Sequence, residues 1–511
     1  MSDLCLDSLN DAATMRARLA ARGLGGAAAE AKAERFGRCA RALAGAGAAA
    51  DGAARAFFVP GRIEVLGKHT DYAGGRSIVA AAERGFCLVA VPRGDSGVRA
   101  FALDLDDAGE FAFSADLAPT VGHWSNYPMT VARRLAKNFP GPLRGADVAF
   151  SSDLPSAAGM SSSSALMVAT FLALSAVNRI EERPAYRANI AGPESLAEYL
   201  GTVENGQAFG TLAGDKGVGT FGGSEDHTAM LCSRPGRVIQ YSYCPTRPER
   251  RIAVPRGCVF AIASSGVAAE KTGQAMAQYN RASRLASAVA EAWHQDTGRP
   301  AVTMADALAS AAGVPRLPET GGMPRPPLPG HDLRPTRNMP TREAAWACHP
   351  RAGGLPAGSG TCGAAEAMRR VLAARPAGGP FSAAELLTRF EHFLVESVEI
   401  VPAAGDALAA GDLEAFGRQV DRSQQVAETL LGNQVPQTVF LARAGRELGA
   451  SAATGFGAGF GGSVWALVRE ADAPAMLDRW AARYREAFPA EAARALFFLS
   501  RAGPAAFDLG G

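Results

Sequence analysis

The apolar and polar positions divide the chain into segments of different period. Residues 1 to 50 are Ala-rich, with Arg and Glu at helical intervals and a Gly/Ala break near residue 45. They predict one or two surface helices. "RAFFVPGRIEVLG" then alternates β-type residues and predicts a strand feeding a loop. "RSIVAAAERGFCLVAVPRG", "VRAFALDLDD", "RVIQYSYCP" and "CVFAIASSG" predict further strands. "SALMVATFLALSAVNRI" predicts a long apolar helix from near Ser163, and "GQAMAQYNRASRLASAVAEAW" a helix with apolar positions at spacings of three and four. From about 313 to 380 Pro and Gly are too dense for a helix or a central strand, and a long exposed insertion is expected there, with a short helix around "REAAWAC". Helices resume at "SAAELLTRFEHFLVESVEI", and "ATGFGAGFGGSVWALV" predicts a strand, a loop and a strand. No internal repeat is present.

At 511 residues the chain exceeds one ordinary core, so two or three domains are expected. Apolar residues at 48% and charged residues at 20% describe a globular protein. A net charge of +2 gives no reason to expect a nucleic-acid or membrane-surface partner. The eight cysteines form no C-x-x-C pair and no zinc spacing, which fits reduced thiols in the cytoplasm. The N-terminus lacks the apolar core of a signal peptide, and no uncharged apolar run reaches membrane-spanning length.

Four short stretches concentrate chemistry. "GRIEVLGKHTDYAGG", residues 61 to 75, packs Arg62, Glu64, Lys68, His69 and Asp71 between glycines. A surface turn needs the glycines but not that density of charge. "LPSAAGMSSSSALMVA", residues 154 to 169, places small residues and then serines before a long apolar helix. A helix start has unpaired N–H groups and partial positive charge, and small side chains let an anion approach them. The stretch therefore suits phosphate, although a serine N-cap after a flexible loop would need only one of these hydroxyls. No Gly-Lys-Ser/Thr follows, which excludes a P-loop here. "GFGAGFGGSV", residues 455 to 464, lets backbone come close to a ligand or to other backbone, as a glycine-rich hairpin also would. In "GGSEDHTAML", Asp226 taken alone is an N-cap candidate, and Glu204 lies upstream on the end of a helix begun at "PESLAEYL", where a surface glutamate is the default.

Taken in order, these stretches resemble the galactokinase branch of the GHMP kinases. "GRIEVLGKHTDYAGG" is similar to that family's G-R-x-N-x-x-G-E-H-T-D-Y-x-G-G, "PSAAGMSSSS" to P-x-G-x-G-L-S-S-S-A, and "GAGFGG" to G-G-G-F-G-G. "AMAQYNRAS" and "GDLEAFGRQVDRSQ" extend the likeness, which runs from about 55 to 300 and from about 385 to 470. The chain departs from the family pattern at Glu64 for Asn, at Lys68 for Glu, in "GGSEDH" for C-G-I-M-D-Q, and at Gln424 for His. It also has an extra glycine-rich stretch between Glu204 and Asp226 and the Pro-rich insertion.

The resemblance implies an α+β, two-domain GHMP kinase fold, with a ribosomal protein S5 domain 2-like N-terminal domain and a ferredoxin-like C-terminal domain, and the active site between them. Residues 1–50 would form a helical extension, 51–250 the N-terminal domain, and 251–511 the C-terminal domain with its insertion at about 313–380. The implied activity is transfer of the ATP γ-phosphoryl group to the anomeric hydroxyl of a galactose-like monosaccharide, with Mg²⁺, by a cytoplasmic monomer or weak homo-oligomer. By resemblance, Asp226 is the catalytic carboxylate and Arg62 faces it. Lys68, His69, Asp71, Gly223 and Tyr279 would contact the sugar. Ala157, Ala158, Gly159, Met160, Ser161, Ser162, Ser163 and Ser164 would wrap the ATP phosphates. Gly457, Gly459, Gly461 and Gly462 form the glycine loop, and Ser163 and Glu204 would hold the metal. Lys68 keeps a uronic acid open as substrate if its ammonium meets the sugar, or it pairs with Glu64 and selects nothing. An acetamido sugar or arabinose as substrate, and a sugar sensor without catalysis, also stay open.

Overall fold

The computed structural model describes residues 4–120, 122–155, 158–267, 273–314, 359–376 and 378–510. Its first sheet is built on two long strands, β1 (Arg55–Leu66) and β2 (Arg76–Pro92), joined through the polar loop. β3 (Gly97–Ala102), β4 (Asp107–Ala112) and β5 (Ala146–Ser152) extend it, with β3 parallel to β5. β2 is long enough to serve two partners. Its end at Phe86–Pro92 pairs with β5, and its start at Arg76–Val79 pairs with β6 (Arg237–Ser242), which carries β7 (Arg247–Ala253).

Strand alternation sends β1 side chains to two different cores. Phe57, Val59 and Ile63 face one apolar cluster, and Ala56 and Phe58 face another. The first cluster is filled by the helix Ser162–Asn178, whose Leu166, Met167, Val168 and Phe171 are all buried. A helix apolar on every side has to lie inside. The second cluster is covered by the N-terminal residues. Three helices form there, Leu6–Asn10, Ala12–Ala21 and Gly26–Gly45, rather than the one or two expected. The third lays Phe36, Cys39 and Leu43 against Phe58, Cys87 and Val89. This extension is the second cover of the sheet.

The second sheet is antiparallel. β8 (Cys258–Ser264), β9 (Ala452–Phe456), β10 (Ser463–Arg469) and β11 (Leu496–Ser500) stand in the order β11-β8-β10-β9. With helices between β8 and β9 and between β10 and β11, this is the ferredoxin-like order. The chain then returns, because β12 (Phe507–Asp508) pairs with β1. The last residues therefore belong to the first sheet, not to the second domain where the sequence places them.

The expected insertion at 313–380 is also too wide. Residues 359–373 form a helix whose Ala364, Ala365, Met368 and Leu372 are buried with Trp293, Met304 and Phe390. A Pro- and Gly-rich neighbourhood hides its apolar spacing. The short helix expected around "REAAWAC" lies outside the described residues. The described cysteines form no disulfide.

Candidate active site

The site forms where β1 leaves the first sheet. Its ladder with β2 shifts register between Pro60 and Arg62 and again between Glu64 and Leu66. Such bulges re-aim side chains. Arg62 and Glu64 line a cleft shared with His69, Asp71, Asp226 and Tyr279.

Arg62 joins the two halves of the cleft. Its Nε donates to Asp226 Oδ1 at 2.6 Å, its Nη1 donates to the Gly159 carbonyl, and its Nη2 lies 3.4 Å from Glu64 Oε2. Burial opposes its charge, but the carboxylates of Asp226, Glu64 and Glu225 outweigh that and raise its pKa. Asp226 is at the start of the helix Glu225–Cys232. Ser224 holds the N-cap position, so Asp226 sits in the first turn, where the helix dipole favours a carboxylate. Its side chain is 18% exposed against 5% for Arg62, so the carboxylate is the part of the pair open to a ligand.

On the side of the polar loop, His69 Nε2 lies 3.0 Å from the Ala458 carbonyl and therefore carries the proton. Its Nδ1 then accepts from the Tyr72 hydroxyl at 2.8 Å. Asp71 Oδ2 accepts from the Glu225 amide at 3.1 Å. A Cβ on residue 223 would come within 2.2 Å of that oxygen, so Gly223 is required by the close approach. Burial raises the pKa of Asp71 and Tyr279.

Lys68 does not reach the cleft. It is buried, and its Nζ donates to Ser423 Oγ at 3.0 Å, which donates to Glu396 Oε1 at 2.9 Å. Glu396 also accepts from the Gly67 amide at 2.8 Å. The ammonium thus completes a structural network with residues over 300 positions away. It neither lines the cleft nor pairs with Glu64. The feature that kept a uronic acid open is therefore turned away from the place a ligand would occupy.

On the side of the serine loop, the helix Ser162–Asn178 starts with no side-chain cap, and Ser161 (φ 57°) and Gly159 (φ 71°) are left-handed. Ser162 and Ser163 are half-buried. Met160 is tied to β1 by accepting from the Arg62 amide at 3.3 Å. Ala158 accepts from Ser463 Oγ at 2.6 Å. Ala157 lies outside the described residues. Glycines 457, 459, 461 and 462 all have positive φ. A Cβ on Gly457 would sit 2.7 Å from the Gly159 carbonyl, so the glycine loop packs on the serine loop backbone to backbone.

Ser164, rather than Ser163, meets Glu204. Its buried hydroxyl lies 2.7 Å from Glu204 Oε2 and 3.5 Å from Asp226 Oδ2. His227 Nε2 is 3.3 Å from the same Glu204 oxygen. The extra glycine-rich stretch that follows Glu204 is anchored by Asp215, 2.8 Å from Arg133. Asn280, next to Tyr279, accepts from the Phe221 amide of that stretch at 2.9 Å. The local sequence gives no sign of His227 as a site residue, and Tyr72 stands in the loop motif without a role read for it. Glu225 leaves a trace, as a second acid beside Asp226.

Residues 126–210 match the family described as GHMP kinases N terminal domain, and residues 406–486 match GHMP kinases C terminal. Residues 48–92 match the galactokinase galactose-binding signature. The chain is 30% identical over 215 residues to a galactokinase of Actinobacillus pleuropneumoniae, covering 42% of this chain and 51% of that one. It is 38% identical over 199 residues to a galactokinase of Chloroflexus aurantiacus, covering 38% and 47%. The chain spans about half the length of the curated relatives it matches. The structure of Lactococcus lactis galactokinase complexed with galactose superposes with a TM-score of 0.63 at 18% identity, covering 89% of this chain and 95% of that one. Methanococcus jannaschii mevalonate kinase gives 0.50 at 14%, covering 88% and 98%. These two likenesses show the fold. The models of both GHMP kinase domains and of the galactose-binding signature thus match within this one chain, with the signature on its first strand pair.

Proposed function

We propose that the protein is a sugar 1-kinase that transfers the γ-phosphoryl group of ATP to the anomeric hydroxyl of a galactose-like monosaccharide. The observation that carries this reading is Arg62, whose one guanidinium touches both Asp226 and the Gly159 carbonyl of the serine loop. An acceptor hydroxyl beside Asp226 would face a phosphate lying on the start of the helix Ser162–Asn178. The binding signature at 48–92 supports the galactose-like acceptor.

Asp226 would take the proton of the anomeric hydroxyl as its oxygen bonds to the γ-phosphorus. The bond from that phosphorus to the bridging oxygen breaks, and ADP leaves with the electron pair. Arg62 would lower the cost of negative charge on the attacking oxygen. The Glu204 carboxylate and the Ser164 hydroxyl stand beside Asp226 as oxygen donors of the kind Mg²⁺ takes, with Ser163 one residue earlier on the same helix and the His227 ring 3.3 Å from Glu204. Bound there, Mg²⁺ would supply charge neutralisation at the ATP phosphates. Ser164 would keep Glu204 and Asp226 at a fixed spacing.

The test is ADP release with galactose and ATP, with the product identified by phosphorus NMR. A sugar 1-phosphate is the expected product. ATP hydrolysis without a phosphorylated sugar, for every sugar offered, would refute the kinase reading.

A further inference from the structure

The side of the cleft built by the polar loop holds more negative charge than a neutral sugar requires. Glu64, Asp71, Glu204, Glu225 and Asp226 all line the cleft, with Arg62 as the one guanidinium or ammonium among the described lining residues. Glu204 and Asp226 face the phosphate-transfer point. Glu64, Asp71 and Glu225 remain toward the sugar. Two of these, Glu64 and Glu225, stand where the galactokinase pattern has Asn and Met.

Glu64 is the informative one. Oε2 is anchored, accepting from the Gly457 amide at 3.0 Å with Arg62 beside it at 3.4 Å. Oε1 is buried without a hydrogen-bond partner, in a residue that is 4% exposed. A buried acceptor left unpaired is destabilising, because it has lost its water and gained no partner. A ligand that supplies a donor there removes that cost, and a charged donor gains most. The Lys68 ammonium, four residues on, is held by Ser423 and does not fill the role.

We propose that the acceptor is an amino sugar of the galactose type, whose free ammonium is bound by Glu64 Oε1 with Glu225 as the second carboxylate. The inference rests on the sugar-kinase reading. Burial pushes the Glu64 carboxyl up to about 7 and raises that of Glu225, so the cleft bears less charge than its composition implies. An incoming cation makes both groups better anions. A uronate would instead bring a sixth carboxylate among five.

The experiment compares galactosamine, galactose and N-acetylgalactosamine by ADP release, with wild type and Glu64→Gln. Wild type is expected to favour galactosamine over galactose by about tenfold in kcat/KM, the difference between a charge-assisted and a neutral hydrogen bond. N-acetylation, which removes the charge, should abolish that preference. Glu64→Gln should lower the galactosamine-to-galactose ratio by about tenfold, whatever happens to the absolute rates. Equal or better use of galactose by wild type, or an unchanged ratio in the variant, overturns the proposal. If no sugar releases ADP, the kinase reading fails, and calorimetric binding of galactosamine against galactose decides the inference by the same ratio. If Glu64→Gln does not fold, Glu225→Gln carries the same comparison.

Discussion

The two walls of the cleft are built by opposite means. The proposed sugar wall, at residues 61–75, fixes named side chains. His69 is held between Tyr72 and Ala458, Asp71 by the Glu225 amide, and Arg62 by two carboxylates, all of them buried. The proposed phosphate wall, at residues 158–164, offers backbone. Its serines 162 and 163 are half-buried, its helix has no side-chain cap, and it contains no titratable side chain. A sugar hydroxyl is told from its epimer only by groups that cannot move. A phosphate is bound by any set of N–H groups that it can approach. Substitutions on the first wall should therefore change the chemistry or the choice of sugar, and those on the second should change mainly the affinity for nucleotide.

The sharpest test of that contrast is Asp226→Asn. Turnover should fall by roughly two to four decades, with the apparent KM for ATP little changed. The amide keeps an acceptor for Arg62, so the fold should hold, which melting temperature would check. Activity near wild type would remove Asp226 from the reaction and leave the walls equivalent.

Ser164 sits on the seam, on the phosphate helix but bonded to Glu204 and close to Asp226. Ser164→Ala should lower kcat by about tenfold to a hundredfold, the cost of one lost hydrogen bond to a charged group. The Mg²⁺ concentration giving half-maximal rate should rise with it, since Glu204 loses its support. A change in KM for sugar alone would place the hydroxyl on the other wall.

Ser163→Ala should do less, because its half-buried hydroxyl would meet phosphate or metal as one donor among several. A rise of about threefold to tenfold in the KM for ATP is expected, with sugar KM constant. Initial rates at fixed sugar measure it. An effect larger than that of Ser164→Ala would restore Ser163 as the principal metal serine.

What the sequence showed divides along the same walls. The polar loop, the serine helix and the glycine loop are contiguous stretches, and their backbone demands read directly from Gly, Ser and small residues. The helix Ser162–Asn178 begins one residue before its expected start. Groups set by distant partners were not legible. Lys68 looks like a ligand contact until Ser423 and Glu396, 355 and 328 positions away, are brought to it. Asp226 looks like an N-cap because its true cap, Ser224, is also small and polar. The helix 359–373 is hidden by composition, since residues outside it carry the Pro and Gly that dominate any local average.

Glu198 affects stability rather than turnover and separates the walls by pH. It is half-buried on the helix Pro193–Asn205 and accepts from the Thr246 amide. Thr246 Oγ1 lies 3.0 Å from Ser224 Oγ, so this carboxyl stands behind the helix that carries Asp226. Burial pushes its pKa up to about 7 from the ordinary 4.5. A carboxyl raised on folding binds its proton more tightly in the native state. Its contribution is therefore complete below about pH 4.5 and is lost as pH rises through about 7. The loss is on the order of 1–2 kcal/mol once solvent access to a half-buried group is allowed for. Glu198→Gln keeps an acceptor for Thr246 and removes the titration. Its melting temperature should fall less than that of wild type between about pH 5 and 8, and at about pH 8 it should be the more stable of the two. A residual slope should remain from Glu64, which is shifted in the same direction. Parallel slopes in the two proteins would mean that Glu198 is ionised in the native state, and the pH sensitivity of the sugar wall would then reside in the cleft itself.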